Sequence, residues 1–437
     1  MSDLAGERPS DTSAGRRLTT REAAQLLGVK PATVYAYVSR GQLGSRRDAA
    51  GRGSTFDASE VEALARRSRR EAAGPAGELA VRTALTLIEA DRYFYRGVDA
   101  VELASRYAYE EVAEWLWTGS LPHGARFAAP PEALAAARRA VAALPDHGGP
   151  LDRLRVAVAA AAVVDPLRFD LSEEAVLGSA RCLIPTLVGA LPEAAPASVP
   201  ASAPASAPAS VPGDGDGDRD GDGRLARALW PRLTGREPDP AAVDALDLAL
   251  ALLVDHDLAA STLAVRVAAS ARAHPYAAVS AGLGVLEGPL HGAAGRLAHR
   301  MLVEVLERGG AAPVVAEHLR AGRRVPGLGH RLYRGEDPRA RALFGRLEAL
   351  PQAAAALGAA RDVAAVTARH GLHANVDLAL AVLTVSCGMT AEAGETVFAV
   401  ARTAGWIAHA LEEYRERPLR MRPSGHYTGP RPPRPLP

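Results

Sequence analysis

Apolar positions recur every three or four residues from Glu78 to Leu191 and again from Leu225 onward. That is the period of helices with one buried face. The stretch Asp244 to Val254, DALDLALALLV, is nearly continuously apolar and predicts a helix buried in the core. Turn signals break the first series at Gly119-Ser120-Leu121-Pro122 and at Asp146-His147-Gly148-Gly149-Pro150. No convincing period-two alternation marks strands in the second half. Alanine is abundant and aromatic residues make up only 5%, which favours helix over strand. The periodicity predicts a mostly α-helical protein.

Two segments depart from this pattern. Residues 1–17 are polar and read as a disordered leader, and residues 18–70 read as a separate small module. Thr19 and Glu22 have capping-box spacing, Gly28 suits a helix stop, Pro31 can open a second helix, and Gly41 can close it. Ala23, Leu27, Val34, Tyr35 and Val38 are the expected shared core. Gly44 to Phe56 is rich in glycine and arginine, as in a wing, and Asp57 starts a third helix. This is a helix-turn-helix pattern. Residues 71–77 read as a linker, and 78–437 as the main domain. Within it, Pro192 to Gly223 holds Pro-Ala-Ser units and a Gly-Asp run with almost no large apolar residue. It cannot bury a core and is expected to be a disordered surface insertion. Its Gly-Asp alternation lacks the glutamate and spacing of a calcium-binding loop.

With 437 residues, 48% hydrophobic, the chain can bury a large core and hold two or three domains. Its 51 basic and 50 acidic residues nearly cancel, so no global nucleic-acid charge is present. Residues 1–75 differ, with 13 basic against 9 acidic residues, a net of +4. Lys30, Arg40, Arg46, Arg47 and Arg52 cluster around the second helix and wing, a phosphate footprint that suits DNA. Cys182 and Cys387 lie far apart and suggest a reducing compartment without a disulfide framework. The N-terminus has no apolar signal core, and no apolar run approaches the roughly 20 residues that span a bilayer. A soluble cytoplasmic protein without membrane contact is expected.

The candidate chemistry lies in three short segments. Gly288-Pro289-Leu290-His291-Gly292-Ala293-Ala294 and Pro326-Gly327-Leu328-Gly329-His330-Arg331-Leu332-Tyr333-Arg334, running on to Asp337-Pro338-Arg339, each set a histidine among glycines. Asn375-Val376-Asp377 adds a carboxylate. Two imidazoles and a carboxylate suit removal of a proton next to a carbonyl and its delivery to a second carbonyl. With Asp255-His256-Asp257, Arg402-Thr403-Ala404-Gly405-Trp406, and Arg422-Pro423 followed by Tyr427-Thr428-Gly429, six motifs stand in an order that resembles the citrate synthase family. The resemblance covers roughly residues 77 to 430. The N-terminal module resembles winged helix-turn-helix proteins of the MerR and excisionase type.

The family resemblance implies an all-α fold: a large helical domain, a small helical domain inserted at about residues 290–385, and a cleft between them. It implies condensation of acetyl-CoA with oxaloacetate and hydrolysis of the product thioester to citrate. Asp377 would be the base, His291 the donor to the thioester oxygen, and His330 the donor to the ketone oxygen. His256, Arg339, Arg402 and Arg422 would hold oxaloacetate. Arg422 would reach into the partner subunit's site, making a homodimer with shared active sites. Val325, Gly327, Gly329 and Arg334 would contact coenzyme A, a substrate and product rather than a bound cofactor. No metal is implied. The chain departs from the family pattern at Ala259, Ala293, Gly295, His373, Ala374 and Ser424. These changes bear on acyl preference more than on reaction class, and a 2-methylcitrate synthase using propionyl-CoA is the first alternative. A DNA-binding regulator that senses CoA thioesters is the second.

Overall fold

A computed structural model describes residues 17–27, 29, 31–39, 43–47, 53–62, 64, 81–89, 91–195, 223–289, 291–423 and 428–429. The leader up to 16, Gly28, Lys30, Arg40, Gly41, Arg52, the 71–77 linker, Leu290, Tyr427 and the insertion from 196 to 222 lie outside them. The chain divides into two compact units, 1–82 and 83–437.

In the first unit, β1 (Arg17–Thr19) leads into α1 (Thr20–Leu27). Then come α2 (Pro31–Ser39), β2 (Ser45–Arg47) and β3 (Ser54–Asp57). Thr19 and Glu22 form a reciprocal capping box: Thr19 N donates to Glu22 Oε2 at 2.8 Å, and Glu22 N donates to Thr19 Oγ1 at 3.3 Å. The expected wing is the β2–β3 hairpin, with Arg47 opposite Ser54. β1 adds a third antiparallel strand that was not expected, with Leu18 opposite Phe56. Three residues are too few for periodicity to show. Leu18, Ala23, Ala24, Val34, Leu43, Phe56, Ala58, Val61 and Leu64 form the core. Tyr35 is a correction to the expected core, being 49% exposed. Its neighbour Val34 faces inward, and one residue is about 100° around a helix.

The second unit opens with strands, which corrects the helical reading of 78–191. β4 (Thr86–Glu89), β5 (Arg92–Tyr95) and β6 (Val98–Asp99) form an antiparallel sheet. Only β5 carries a period-two signal, with Tyr93 and Tyr95 buried. The helices follow: α3 (Ala100–Arg106), α4 (Tyr109–Thr118), α5 (Pro131–Ala142), α6 (Pro150–Val164), α7 (Glu173–Ala190), α8 (Leu225–Leu233) and α9 (Pro240–Leu253). Next are α10 (Ala260–Ser270), α11 (Pro275–Leu286), α12 (Ala294–Arg308), α13 (Ala311–Arg320), α14 (Pro338–Leu347), α15 (Ala354–Thr367), α16 (Val376–Ser386) and α17 (Ala393–Tyr414). The insertion leaves from α7 and returns at α8. Pro192, Glu193 and Gly223, at its two ends, are exposed. Cys182 and Cys387 are unpaired. Among the described residues no helix is long and apolar enough to cross a membrane.

Two helices organise the core. α9 is buried on nearly every side from Ala242 to Leu253, as the continuous apolar run predicts. α17 packs against α9, α10, α11 and α7 and buries Trp406 completely. α12, α14 and α15 gather on α16. Tyr95 Oη donates to the carbonyls of Leu252 and Asp255, at 3.2 and 3.0 Å, and Tyr93 Oη donates to Leu252 O. The sheet thus caps the C-terminus of α9, where a helix has unsatisfied carbonyls.

Glycine is required where α17 meets this turn. A Cβ on Gly405 would lie 2.1 Å from Val254 O and 3.0 Å from Asp255 Oδ1. Gly405→Ala must therefore push α17 away from the turn. The expected cost is about 1–3 kcal/mol or more, as for other overpacked cores, read as a lowered urea midpoint. An unchanged midpoint would show that the two elements separate freely.

Candidate active site

The turn after α9 is the first wall of the site. Asp257 sits there in the left-handed region at φ 57°. Asp255 is fully buried and accepts from Thr86 Oγ1. Its other partner is His409 Nε2 at 3.2 Å. Arg266 Nη1 lies 2.9 Å from His409 Nδ1. A guanidinium only donates, so Nδ1 accepts and the proton sits on Nε2, directed at Asp255. Burial would raise the Asp255 pKa, but His409 and Arg402 hold it below the usual range. This network fixes the backbone that carries His256.

His256 points into a cavity of about 600 Å³ that also receives His291, His330, Arg339, Asp377 and Arg402. Side chains up to 146 residues apart thus meet at one place. His256 Nε2 shares a 2.7 Å hydrogen bond with Tyr333 Oη, and its ring stands perpendicular to His330 at 5.1 Å. Burial, then Arg339 and Arg402, push its pKa well below the ordinary value.

His330 lies in the loop before α14. Leu332 N donates to His330 Nδ1 at 3.1 Å, so the neutral ring carries its proton on Nε2. Arg339 Nη2 lies 3.4 Å from that Nε2, too far for a good hydrogen bond. Burial and Arg339 push the His330 pKa down to about 4, against the pull of Asp337. His291 Nε2 pairs with Ser261 Oγ at 2.8 Å, which leaves Nδ1 for a ligand. Burial, then Arg402, lower its pKa. All three imidazoles are therefore neutral hydrogen-bonding groups near pH 7.

Asp377 sits in the first turn of α16, but the helix cap is Asn375. Asn375 Oδ1 accepts from Asp377 N at 3.0 Å, and Asn375 Nδ2 donates to Gly329 O at 3.0 Å. The Asp377 carboxylate is thus not consumed in capping. Burial raises its pKa to about 6, against the opposing charge of Arg339. Gly327 permits this arrangement. Its φ is +74°, and a Cβ there would come within 2.8 Å of Leu378 Cβ.

Two arginines supply buried positive charge. Arg339 makes a fork to Asp337, with Nε to Oδ1 at 3.0 Å and Nη2 to Oδ2 at 2.7 Å. Asp337 also accepts from Val376 N at 3.1 Å, joining α14 to the start of α16. Burial opposes its ionisation, yet Arg339 holds its pKa below the ordinary value. Arg402 is 1% exposed. It donates from Nε to Leu253 O at 2.9 Å and stacks on Phe398 at 4.4 Å. Burial lowers its pKa. Among the described residues Arg402 has no hydrogen bond to a carboxylate. Arg402 can therefore pair with a carboxylate bound in the cavity.

Not every expected residue lines this cavity. Val325 is packed in the core, 5% exposed. Gly327, Gly329 and Arg334 shape or flank the 325–334 loop without lining the cavity, and Arg334 N donates to Asp91 Oδ1 at 2.9 Å. Arg422 is exposed on the C-terminal segment and outside the cavity of its own chain. Conversely, Ser261, Gly394, Glu395 and Phe398 belong to the site and carried no sequence signal. Asp337 stood inside the Asp337-Pro338-Arg339 motif, where its pairing could have been suspected.

The helical cleft gathers neutral imidazoles, a carboxylate of raised pKa and buried arginines, a set that suits proton transfer beside a bound anion. The family model for the citrate synthase C-terminal domain matches residues 74–424, and a helix-turn-helix domain model matches 17–69. The chain belongs to the citrate synthase family and is an acyltransferase of that type. It is 32% identical to the citrate synthase of Haloferax volcanii over 375 residues, covering 82% of this chain and 95% of that one. It is 27% identical to a 2-methylcitrate synthase of Mycobacterium tuberculosis over 377 residues, covering 82% and 90%. Its fold matches the citrate synthase of Thermoplasma acidophilum, solved as a ternary complex with carboxymethyl coenzyme A and oxaloacetate. The TM-score is 0.61 at 23% identity, covering 83% and 97%.

Proposed function

We propose that the chain condenses a short acyl-CoA, acetyl-CoA in the simplest case, with oxaloacetate and water to give citrate or a close homologue and free CoA. One observation carries this reading. A half-buried carboxylate with a raised pKa and two neutral imidazoles meet in a cavity with two buried arginines. A thioester methyl is a weak acid, and its proton leaves only if the enolate oxygen is stabilised as a base takes it. In this reading Asp377 is the base, and His291 Nδ1–H donates to the thioester oxygen. The enolate carbon attacks the ketone carbon of oxaloacetate, and His330 Nε2–H donates to the ketone oxygen. Water then cleaves the carbon–sulfur bond. His256, Arg339 and Arg402 hold the substrate carboxylates. The 325–334 loop, with Arg334 at its exposed end, receives coenzyme A as a passing substrate.

The acyl group is not settled by family membership, because relatives include a citrate synthase and a 2-methylcitrate synthase. A second reading concerns the N-terminal unit. Its helix-turn-helix order and the exposed arginines of β2 suit contact with a DNA duplex, so the enzyme would also be a regulator.

The protonation state of Asp377 sets the pH profile. A base with pKa about 6 is lost as pH falls, so kcat/KM should drop tenfold per pH unit below about 6. His330, at about 4, adds no second limb there. Asp377→Asn should keep the fold, lower turnover by about 10²–10⁴-fold, and slow exchange of the acyl-CoA α-protons with deuterium in parallel. Near-normal exchange in the folded variant would falsify Asp377 as base.

Arg422, exposed in its own chain, is proposed to complete the neighbour's site in a homodimer. Mixing inactive Arg422→Ala and Asp377→Ala proteins should restore activity through hybrid dimers. Hybrid dimers without activity would rule out a shared site. For the N-terminal unit, residues 1–82 should carry any gel shift of duplex DNA, with affinity falling steeply as salt rises. A full-length chain that binds no more DNA than one lacking 1–75 would remove the regulatory reading.

A further inference from the structure

One buried side chain behind the cavity takes no part in these proton transfers and yet touches two histidines of the site. Tyr333 lies on the 325–334 loop, and His256 lies on the turn after α9, 77 residues away in the chain. Tyr333 Oη and His256 Nε2 share the 2.7 Å hydrogen bond. Tyr333 is buried, and among the described residues its hydroxyl has no other hydrogen-bond partner. Its ring also lies against His330, with centroids 4.8 Å apart and an interplanar angle of 33°. Tyr333 itself does not line the cavity, whereas His256 and His330 do.

The hydroxyl decides where the proton of His256 sits. Burial raises the Tyr333 pKa above that of an ordinary phenol, so the group is protonated at neutral pH. A buried hydroxyl proton needs an acceptor, and Nε2 is the partner at hand. Nε2 therefore accepts, and the neutral ring carries its proton on Nδ1. The reverse arrangement, with Nε2–H donating to Oη, would leave the hydroxyl proton buried without an acceptor. The backbone carbonyl of His256 also favours a proton on the ring. A carboxylate offers only acceptors, so an imidazole that holds one must present an N–H. The hydroxyl thus leaves His256 one N–H on a defined nitrogen, and the ring limits how far His330 can tilt.

We propose that Tyr333 is a positioning residue for the oxo acid: its hydroxyl fixes the tautomer and orientation of His256, and its ring fixes the orientation of His330. This rests on the reading above, in which His256 holds a carboxylate of oxaloacetate and His330 donates to its ketone oxygen, and deepens it. The two parts of one side chain then act on different steps. The hydroxyl acts through His256 on binding. The ring acts through His330 on the step that forms the carbon–carbon bond.

Two variants of the full chain separate these parts. Tyr333→Phe removes the hydroxyl and keeps the ring, and Tyr333→Leu removes both. Oxaloacetate binding is measured by calorimetry, and thiol release with acetyl- or propionyl-CoA at varied oxaloacetate. Tyr333→Phe should weaken oxaloacetate binding and raise its KM about three- to tenfold, the worth of one hydrogen bond. Its kcat and its KM for the acyl-CoA should barely change. Tyr333→Leu should raise the oxaloacetate KM as much and also lower kcat about tenfold or more, because His330 loses its support. A side chain that only stabilised the fold would lower the urea midpoint and move every kinetic constant together. Unchanged oxaloacetate affinity in Tyr333→Phe, or the same loss of kcat in both variants, would overturn the proposal and leave the condensation standing. A wild-type chain that binds oxaloacetate but releases no thiol would overturn the condensation, while the calorimetric comparison would still decide the role of the hydroxyl. A wild-type chain that binds no oxaloacetate would overturn both.

Discussion

The site depends on how closely α17 approaches the end of α9. Gly405 leaves no room for a Cβ against Val254 O, and that contact sets two cavity-lining groups side by side. His256 follows the last turn of α9, and Arg402 lies three residues before Gly405 on α17. The Arg402 Nε bond to Leu253 O ties the same two elements again. Helices this apolar bury large areas, at about 25 cal/mol per Å² of apolar surface. The apolar packing and the buried hydrogen bonds together hold the polar groups in place.

Electrostatics then decides what the cavity can do. Arg339 and Arg402 are both nearly inaccessible, and only Arg339 has a carboxylate at its guanidinium, the fork to Asp337. Breaking that pair would leave a buried uncompensated charge, a loss of about 3–5 kcal/mol in comparable cases. The remaining positive field and the burial keep His256, His291 and His330 neutral. The same burial lifts Asp377 to about 6, where a carboxylate is a better base than in water. One environment thus moves the carboxylate and the imidazoles in opposite directions on the pH scale, as the proposed proton transfers require. That is the condition under which all can act at neutral pH.

Helix existence was legible where apolar periodicity was long. The run from Asp244 to Val254 reads as a core helix and is one. Apart from the wing hairpin, the strands among the described residues were not legible, because none exceeds four residues and a pattern of two needs more than that to stand out. Tyr35 was misplaced for a related reason. In a helix of nine residues with apolar side chains on several faces, phase decides burial, and phase comes from what packs against it.

The sequence by itself determined the chemical types of the site. Histidines among glycines, an aspartate after an asparagine and an arginine after Asp-Pro are local facts, and each local fold follows from them. Asn375 caps α16, and Asp337 caps α14 while gripping Arg339 two residues on. Only the tertiary structure decided which of these groups meet and which imidazole nitrogen carries a proton. Ser261, Gly394, Glu395 and Phe398 have no local signature. Their roles arise from contacts between residues far apart in the chain, and such contacts are set by packing and not by spacing.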